Sequence, residues 1–246
     1  LALIQALRPN QWIKNLSIFA AIILTGQLFN PSAFNASLLA FISFCLLSSS
    51  SYLVNDVVDI DKDRLHPVKK NRPIARGAVS KQLAIIVSLV LLILGLSIAS
   101  FVDNAFFILA LIFIILQYSY SFLIKKKAIL DIMGIALFFI IRTYAGELAS
   151  GFHLPIWILL AVIFLSLFIA SGKRRSELYR SGKSTRKALE GYSKSLLNFY
   201  ATIFAVCTLI CYAMFTFLAE PLSFGGAIHK FLLEYYPSAL DRKWWM

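Results

Sequence analysis

Charge is scarce in this chain of 246 residues: only 15% are charged, while 59% are hydrophobic. Soluble domains carry about 25% charged and about 45–50% apolar residues. With a mean hydropathy of +0.78, the composition excludes intrinsic disorder and points away from a soluble globular protein. Acidic residues are the scarcer sign, 12 against 24 basic, for a net charge of +12. Cysteine is nearly absent. Cys45, Cys207 and Cys211 lie in apolar runs without metal-ligand spacing or an extracellular pairing pattern, and read as buried thiols. No repeat or low-complexity segment is visible. The first apolar run follows Lys14 and lacks a small-residue cleavage site, so no cleavable signal peptide is expected.

What is present is a series of long apolar runs. A bilayer crossing needs about 20 mostly apolar residues, and seven candidates read as spans: 12–29, 34–54, 83–102, 105–124, 129–148, 154–170 and 196–218. The expected fold class is all-α, a polytopic transmembrane helical bundle. Of the 24 basic residues, 20 fall before the first span or in the loops after spans two, four and six. The intervening loops carry none. The positive-inside rule then places the N-terminus and the basic loops in the cytoplasm. This accounts for the net charge without nucleic acid. It does not account for seven of the 12 acids lying on that same side.

Four of those acids form Asn55-Asp56-Val-Val-Asp59-Ile-Asp61-Lys62-Asp63, which continues the second span. At about 100° per residue, Asp56, Asp59 and Asp63 fall near 0°, 300° and 340° and share a face, with Asp61 near 140°. Carboxylates so arranged repel one another unless a cation sits among them. Oxygen ligands of this kind suit Mg²⁺, which takes further ligands from water and substrate phosphate. The plain alternative is a solvated helix end neutralised by Lys62 and Arg64.

Arg64, Lys69, Lys70, Arg72 and Arg76 follow at once, in a loop stiffened by Pro67 and Pro73. Carboxylates holding a metal beside Lys and Arg suit a pyrophosphate; a contact with anionic lipid is the competing reading. His66 reads as structural. In the second polar insertion Glu177 lies i+4 from Lys173 and i+3 from Arg174. That is either an ordinary helix salt bridge or a second anion site. Asp131 and Arg142 share a face of the fifth span, with Arg142 roughly 16 Å deeper. An ionisable group inside a span is a functional candidate; the alternative is an interhelix pair with Glu147 or a tyrosine. Tyr118 and Tyr120 could donate hydrogen bonds near the headgroups or belong to an aromatic belt.

These residues resemble the UbiA superfamily of intramembrane prenyltransferases, whose N-D-x-x-D-x-x-x-D signature matches at Asn55, Asp56, Asp59 and Asp63. Where that superfamily usually has a second Asp-rich motif, this chain has Lys173-Arg174-x-x-Glu177. That substitution, Arg8-Pro-Asn-Gln-Trp-Ile-Lys-Asn15, and His66-Pro67…Arg72-Pro73-Ile-Ala resemble the polyprenyl-phosphate phosphoribosyltransferase branch. The resemblance covers Arg8 to about Leu218. It implies transfer of 5-phosphoribose from phosphoribosyl pyrophosphate to a polyprenyl phosphate of decaprenyl type. It implies Mg²⁺ held by the catalytic Asp56, Asp59 and Asp63. The residues expected to bind substrate are Asn55, Lys14, Lys69, Arg72, Tyr118, Lys125, Asp131, Arg142, Lys173, Arg174 and Glu177. The expected setting is a bacterial inner membrane with the site facing the cytoplasm. A homo-oligomer is left open.

The superfamily usually has nine spans, against the seven read here. Residues 1–218 are therefore expected to form the transmembrane domain and 219–246 an atypical amphipathic tail lying at the interface. Two competing readings follow. One is a prenyltransferase to an aromatic acceptor, disfavoured by the missing second Asp cluster. The other is a truncated, non-catalytic membrane relative, disfavoured by the three carboxylates kept on one face.

Overall fold

The computed structural model describes residues 2–122, 129–181, 191–218 and 226–241. Lys125, expected at the site, lies outside them. The described chain is helical: α1 (Ala2–Leu7), a 3-10 segment (Pro9–Phe19), α2 (Ala20–Leu24), α3 (Pro31–Val58), α4 (Ile60–Leu65), α5 (Lys81–Val102), α6 (Asn104–Phe122), α7 (Leu130–Ser150), α8 (Ile156–Ser181), α9 (Lys194–Leu218) and α10 (Gly226–Tyr235). Six of these, α3 and α5 to α9, are long and apolar enough to cross a bilayer. They match six of the seven spans read from the sequence, and the protein is a multi-pass membrane protein.

Local signals set the helix starts. Asn30 caps α3, accepting the amides of Ser32 and Ala33 ahead of Pro31 at the first turn. Ser80 caps α5. Asp103 Oδ1 accepts from Ala105 at 2.7 Å and Phe106 at 3.2 Å to start α6. Gly151, at φ 74°, ends α7 in the left-handed conformation that favours glycine.

Burial then sorts the helices. In α3 the most apolar stretch is 61% buried, against 17% in α5. α3 is the central post, and α5 turns Ile85, Ile86, Leu89, Ile93 and Leu94 outward. In a bilayer such a face meets acyl chains and needs no partner. The core around α3 is aromatic: Phe44 packs on Phe113 with ring centroids 4.6 Å apart, and Phe113 meets Phe138 edge-on at 5.9 Å.

The expected first span departs from the reading. It forms an 11-residue 3-10 segment, then α2, rather than one α-helix. Three residues per turn bring i and i+3 into line. Trp12, Asn15 and Ile18 therefore stack on one face. Trp12 Nε1 donates to Ser49 Oγ at 3.0 Å, Asn15 Nδ2 to Cys45 Sγ at 3.2 Å, and Ile18 is fully buried. Gly146 of α7 makes the fit possible: a Cβ there would lie 1.9 Å from the Ile18 carbonyl oxygen. An α-helix would rotate the three residues apart by about 60° a step. Beyond α9, α10 is ten residues long, too short to cross a bilayer.

Candidate active site

α3 ends at Val58, Asp59 adopts φ −91° and ψ 9°, and α4 resumes at Ile60. The break is mild enough to keep the helical phase. Asp56 and Asp63 are buried, Asp59 is 23% exposed and Asp61 is 87% exposed. Arg72, carried by the loop beyond α4, reaches back to both buried acids. Its Nη1 donates to Asp56 Oδ1 at 3.0 Å and to Asp63 Oδ2 at 2.6 Å. Arg8 Nη2 donates to the same Asp56 oxygen at 2.5 Å, and its guanidinium lies 5.1 Å from the centre of the Tyr52 ring. Arg8 itself has φ 55°, uncommon for a residue with a side chain. Its ion pair with Asp56 anchors the side chain. His66 is structural: its Nδ1 accepts the amides of Val68 and Lys69.

Beside these groups opens a cavity of about 260 Å³. Asn55, Asp56, Asp59, Lys69 and Arg72 line it, with Arg8 and Tyr52 beside them. Lys14, Gln117, Tyr120, Ser121, Ile135, Phe138, Phe139, Arg142 and Lys173 complete it. The lining thus holds six cations (Arg8, Lys14, Lys69, Arg72, Arg142, Lys173) against two carboxylates (Asp56, Asp59). Arg142, 3% exposed, donates from Nε to Asn15 Oδ1 at 2.7 Å and from Nη1 to the Phe138 carbonyl at 2.8 Å. It does not pair with Glu147, which faces His153 at 3.3 Å instead.

Tyr118 is not a lining residue. It packs against the aromatic core, and Tyr120 takes the place at the cavity. The two are about 200° apart on α6, so they cannot face the same way. Asp63 also stands back from the cavity, behind Arg72.

Asp131, Arg174 and Glu177 form a second cluster. Arg174 is 1% exposed; its Nε lies 2.5 Å from Asp131 Oδ2 and its Nη1 donates to Glu177 Oε2 at 2.5 Å. Its guanidinium is thereby occupied by protein carboxylates, whereas Lys173 next to it faces the cavity. Tyr192 closes the cluster: its hydroxyl donates to Asp131 Oδ1 at 2.8 Å and accepts the Ile129 amide at 2.6 Å. Burial, then the bond to Asp131, push the Tyr192 phenol above its usual range. Sequence reasoning missed Arg8, Asn15, Gln117 and Tyr192 as members of these groups. For Arg8 and Asn15 the available signal was the Arg8–Asn15 motif itself, which puts a cation and an amide at the head of the first apolar run.

Among the described residues no three His, Cys, Asp or Glu side chains converge as a closed metal site. A phosphate-bound Mg²⁺ does not require one, since it takes one or two carboxylates with water and substrate oxygens. Asp56 Oδ2 is buried without a hydrogen-bond partner, and Asp59 lines the cavity beside it. That orphaned oxygen and its neighbour fit such an ion; Asp63, tied to Arg72, supports the pair from behind.

The sequence model of the UbiA prenyltransferase family matches residues 16–243. The chain belongs to this family. Membership makes it an intramembrane transferase. Among its UbiA-family relatives is the decaprenyl-phosphate phosphoribosyltransferase of Mycolicibacterium smegmatis. It is 39% identical over 222 residues, spanning 87% of this chain and 70% of the relative. The protein of the same name from Mycobacterium tuberculosis is 35% identical over 221 residues, spanning 87% of this chain and 73% of the relative. In fold, the chain is similar to a UbiA homologue from Archaeoglobus fulgidus bound to GPP and Mg²⁺. That likeness has a TM-score of 0.76 at 24% identity and covers 99% of this chain and 84% of the other.

Proposed function

We propose that the protein transfers 5-phosphoribose from phosphoribosyl pyrophosphate to a polyprenyl phosphate of decaprenyl type. The transfer is Mg²⁺-dependent, runs at the cytoplasmic face of the bacterial inner membrane, and releases pyrophosphate. The observation that carries this reading is the cation excess of the cavity, six against two. A prenyl diphosphate is an anion at one end and hydrocarbon at the other, and has no use for cations along the whole wall. Phosphoribosyl pyrophosphate is anionic at both ends. The names of the bacterial relatives support the same choice.

Asp56 and Asp59 would hold the ion. When bound there, Mg²⁺ neutralises charge on the departing pyrophosphate. Arg72, anchored by Asp56 and Asp63, and Lys69 beside it give the leaving group further positive charge. The acceptor phosphate oxygen forms a bond to the anomeric carbon as the bond from that carbon to pyrophosphate oxygen breaks. A phosphate monoester is already ionised at neutral pH, so no general base is needed. The polarity of the loops sets the cytoplasmic orientation.

Purified protein in lipid nanodiscs, given labelled phosphoribosyl pyrophosphate, Mg²⁺ and a polyprenyl phosphate, should move label into the lipid fraction. Equimolar pyrophosphate should appear. Transfer of a prenyl group to an aromatic acceptor, with no phosphoribosyl transfer, would overturn the reading.

A further inference from the structure

Arg142 is a charge without an opposite number. It is almost fully buried, and among the described residues no carboxylate lies within ion-pair distance of it. Buried charges are otherwise paired, because removal from water penalises the charged form. The cavity wall is no substitute: its other charges include Lys14 and Lys173, which repel a guanidinium, and an aromatic face, Phe113, lies 5.0 Å from the guanidinium carbon.

Its depth follows from two independent rulers. Arg142 stands 11 residues after Asp131 on α7, roughly 16 Å along the axis. Asn15, its partner, bonds Cys45, which stands 11 residues before Asp56 on α3. That is again roughly 16 Å. From there the Arg142 side chain runs back toward the acidic pole, as its bond to the Phe138 carbonyl one turn nearer that end requires. The guanidinium therefore stands beneath the Asp56–Asp59 pole at the far end of one cavity.

Its aim is fixed as well. Asn15 spends its oxygen on Arg142 Nε and its amide on Cys45 Sγ, so the amide cannot turn. One Nη1 hydrogen is spent on Phe138. The remaining N–H groups have no partner among the described residues, and Arg142 lines the cavity. A planar donor fork held this way matches phosphate oxygens.

We propose that Arg142, oriented by Asn15, is the floor of a second anion subsite. It takes the 5-phosphate of the donor and makes the cavity hostile to a prenyl chain. The inference rests on the phosphoribosyl-transfer reading. Two phosphate monoesters could meet this fork, the donor's 5-phosphate and the acceptor's lipid phosphate. The donor is the better fit. An acceptor phosphate trails a polyprenyl chain, and the apolar groove that could take it, lined by Met133, Leu137, Ile140, Ile163 and Leu167, lies on the opposite face of α7. The wall around Arg142 is cationic and aromatic instead. For a prenyl diphosphate the same guanidinium would meet hydrocarbon and remain unpaired.

Titration calorimetry on the full chain in nanodiscs tests this with ribose 5-phosphate, Mg²⁺–pyrophosphate, farnesyl phosphate and geranyl diphosphate as separate probes. Arg142→Met should weaken ribose 5-phosphate by about tenfold or more, the loss expected for hydrogen bonds to a charged group. It should leave Mg²⁺–pyrophosphate and farnesyl phosphate unchanged and tighten geranyl diphosphate. Arg142→Lys should retain part of the ribose 5-phosphate affinity. Asn15→Asp offers the guanidinium an internal partner at nearly constant volume. It should also abolish the preference for ribose 5-phosphate while keeping the protein folded, which guards against loss of Arg142→Met to misfolding. Ribose 5-phosphate binding indifferent to both changes would overturn the subsite, as would a loss confined to farnesyl phosphate. Wild-type phosphoribosyl transfer is measured in the same preparation. Its absence sinks the reaction itself; its presence beside indifferent variants sinks only the subsite.

Discussion

At the end of α3 and at the end of α8 the same residue types meet in opposite proportion. On α3 and α4, Asp56 and Asp63 share the guanidinium groups of Arg72 and Arg8, and Asp56 still keeps one buried oxygen without a partner. On α8 a single guanidinium, Arg174, lies between Asp131 and Glu177, and the Tyr192 hydroxyl takes another Asp131 oxygen. The first cluster is left with acceptor capacity and opens on the cavity. The second lines neither that cavity nor the apolar groove on α7, and its one unbonded acceptor, Asp131 Oδ2, already faces Arg174 Nε at 2.5 Å, while Arg174 Nη2 reaches Tyr120 at the cavity edge at 3.4 Å. Motif spacing describes both as charged residues at a membrane boundary. Stoichiometry separates a group able to bind a further cation from one that is finished as a brace.

Asp56→Asn is the strongest test of that contrast. It removes the orphaned oxygen's charge, takes away the ion pair of Arg8 and leaves Arg72 with Asp63 alone, and phosphoribosyl transfer should fall by about 100- to 1,000-fold. A calorimetric titration should show Mg²⁺–pyrophosphate affinity falling with it. Normal turnover would break the comparison outright.

Next comes Arg174→Met, which leaves Asp131 buried without its cation. Losing one partner of a buried pair costs about 3 kcal/mol or more, so the unfolding midpoint in detergent should drop clearly. Adding Asp131→Asn should recover much of that stability, with activity returning alongside it. A large loss of donor affinity at unchanged stability would instead make Arg174 a ligand.

Gly146→Ala probes the seam that carries Asn15 to Arg142. The added carbon collides with backbone, not with a movable side-chain tip, so the 3-10 segment must shift. Donor KM should rise by roughly tenfold, since misplacing a binding group by about 1 Å is costly; kinetics on the folded fraction would read it.

Tyr192→Phe removes one hydroxyl that ties Asp131 to the Ile129 amide. The expected change is about 1 kcal/mol in stability with a turnover effect of only a few fold. Smallest of all is Asp61→Asn, on the exposed side of α4, which should leave transfer within about twofold, as surface changes usually do.

Much of this was legible from one dimension. The bundle follows from long apolar runs, and the burial of Asp56 and Asp63 against the exposure of Asp61 follows from helical phase, which survives the break at Asp59. Three features were not. The first segment reads as an α-helical span by hydropathy, yet its close approach to Gly146 at Ile18 goes with a 3-10 winding that no apolar count distinguishes. Tyr118 and Tyr120 are equally plausible in sequence, and only the seating of α6 decides which faces the cavity. The partner of Arg174 is 43 residues away at Asp131, and Tyr192 lies 61 residues from Asp131. Pairings of that kind are made by the fold, not by local spacing.

The bond between Asn15 and Arg142 joins residues 127 apart in the chain. A ribosome working at about 5–20 residues per second needs roughly 6–25 seconds to make that stretch. For that interval the segment bearing Lys14 and Asn15 waits beside α3, held by Trp12 and Cys45, with one wall of the cavity still unmade. The ligand fork is thus among the last pieces to be installed, and a nascent chain that stalls before α7 carries the acidic motif without the floor beneath it. Such an intermediate of biogenesis could present carboxylates to a metal well before it held the proposed anion subsite.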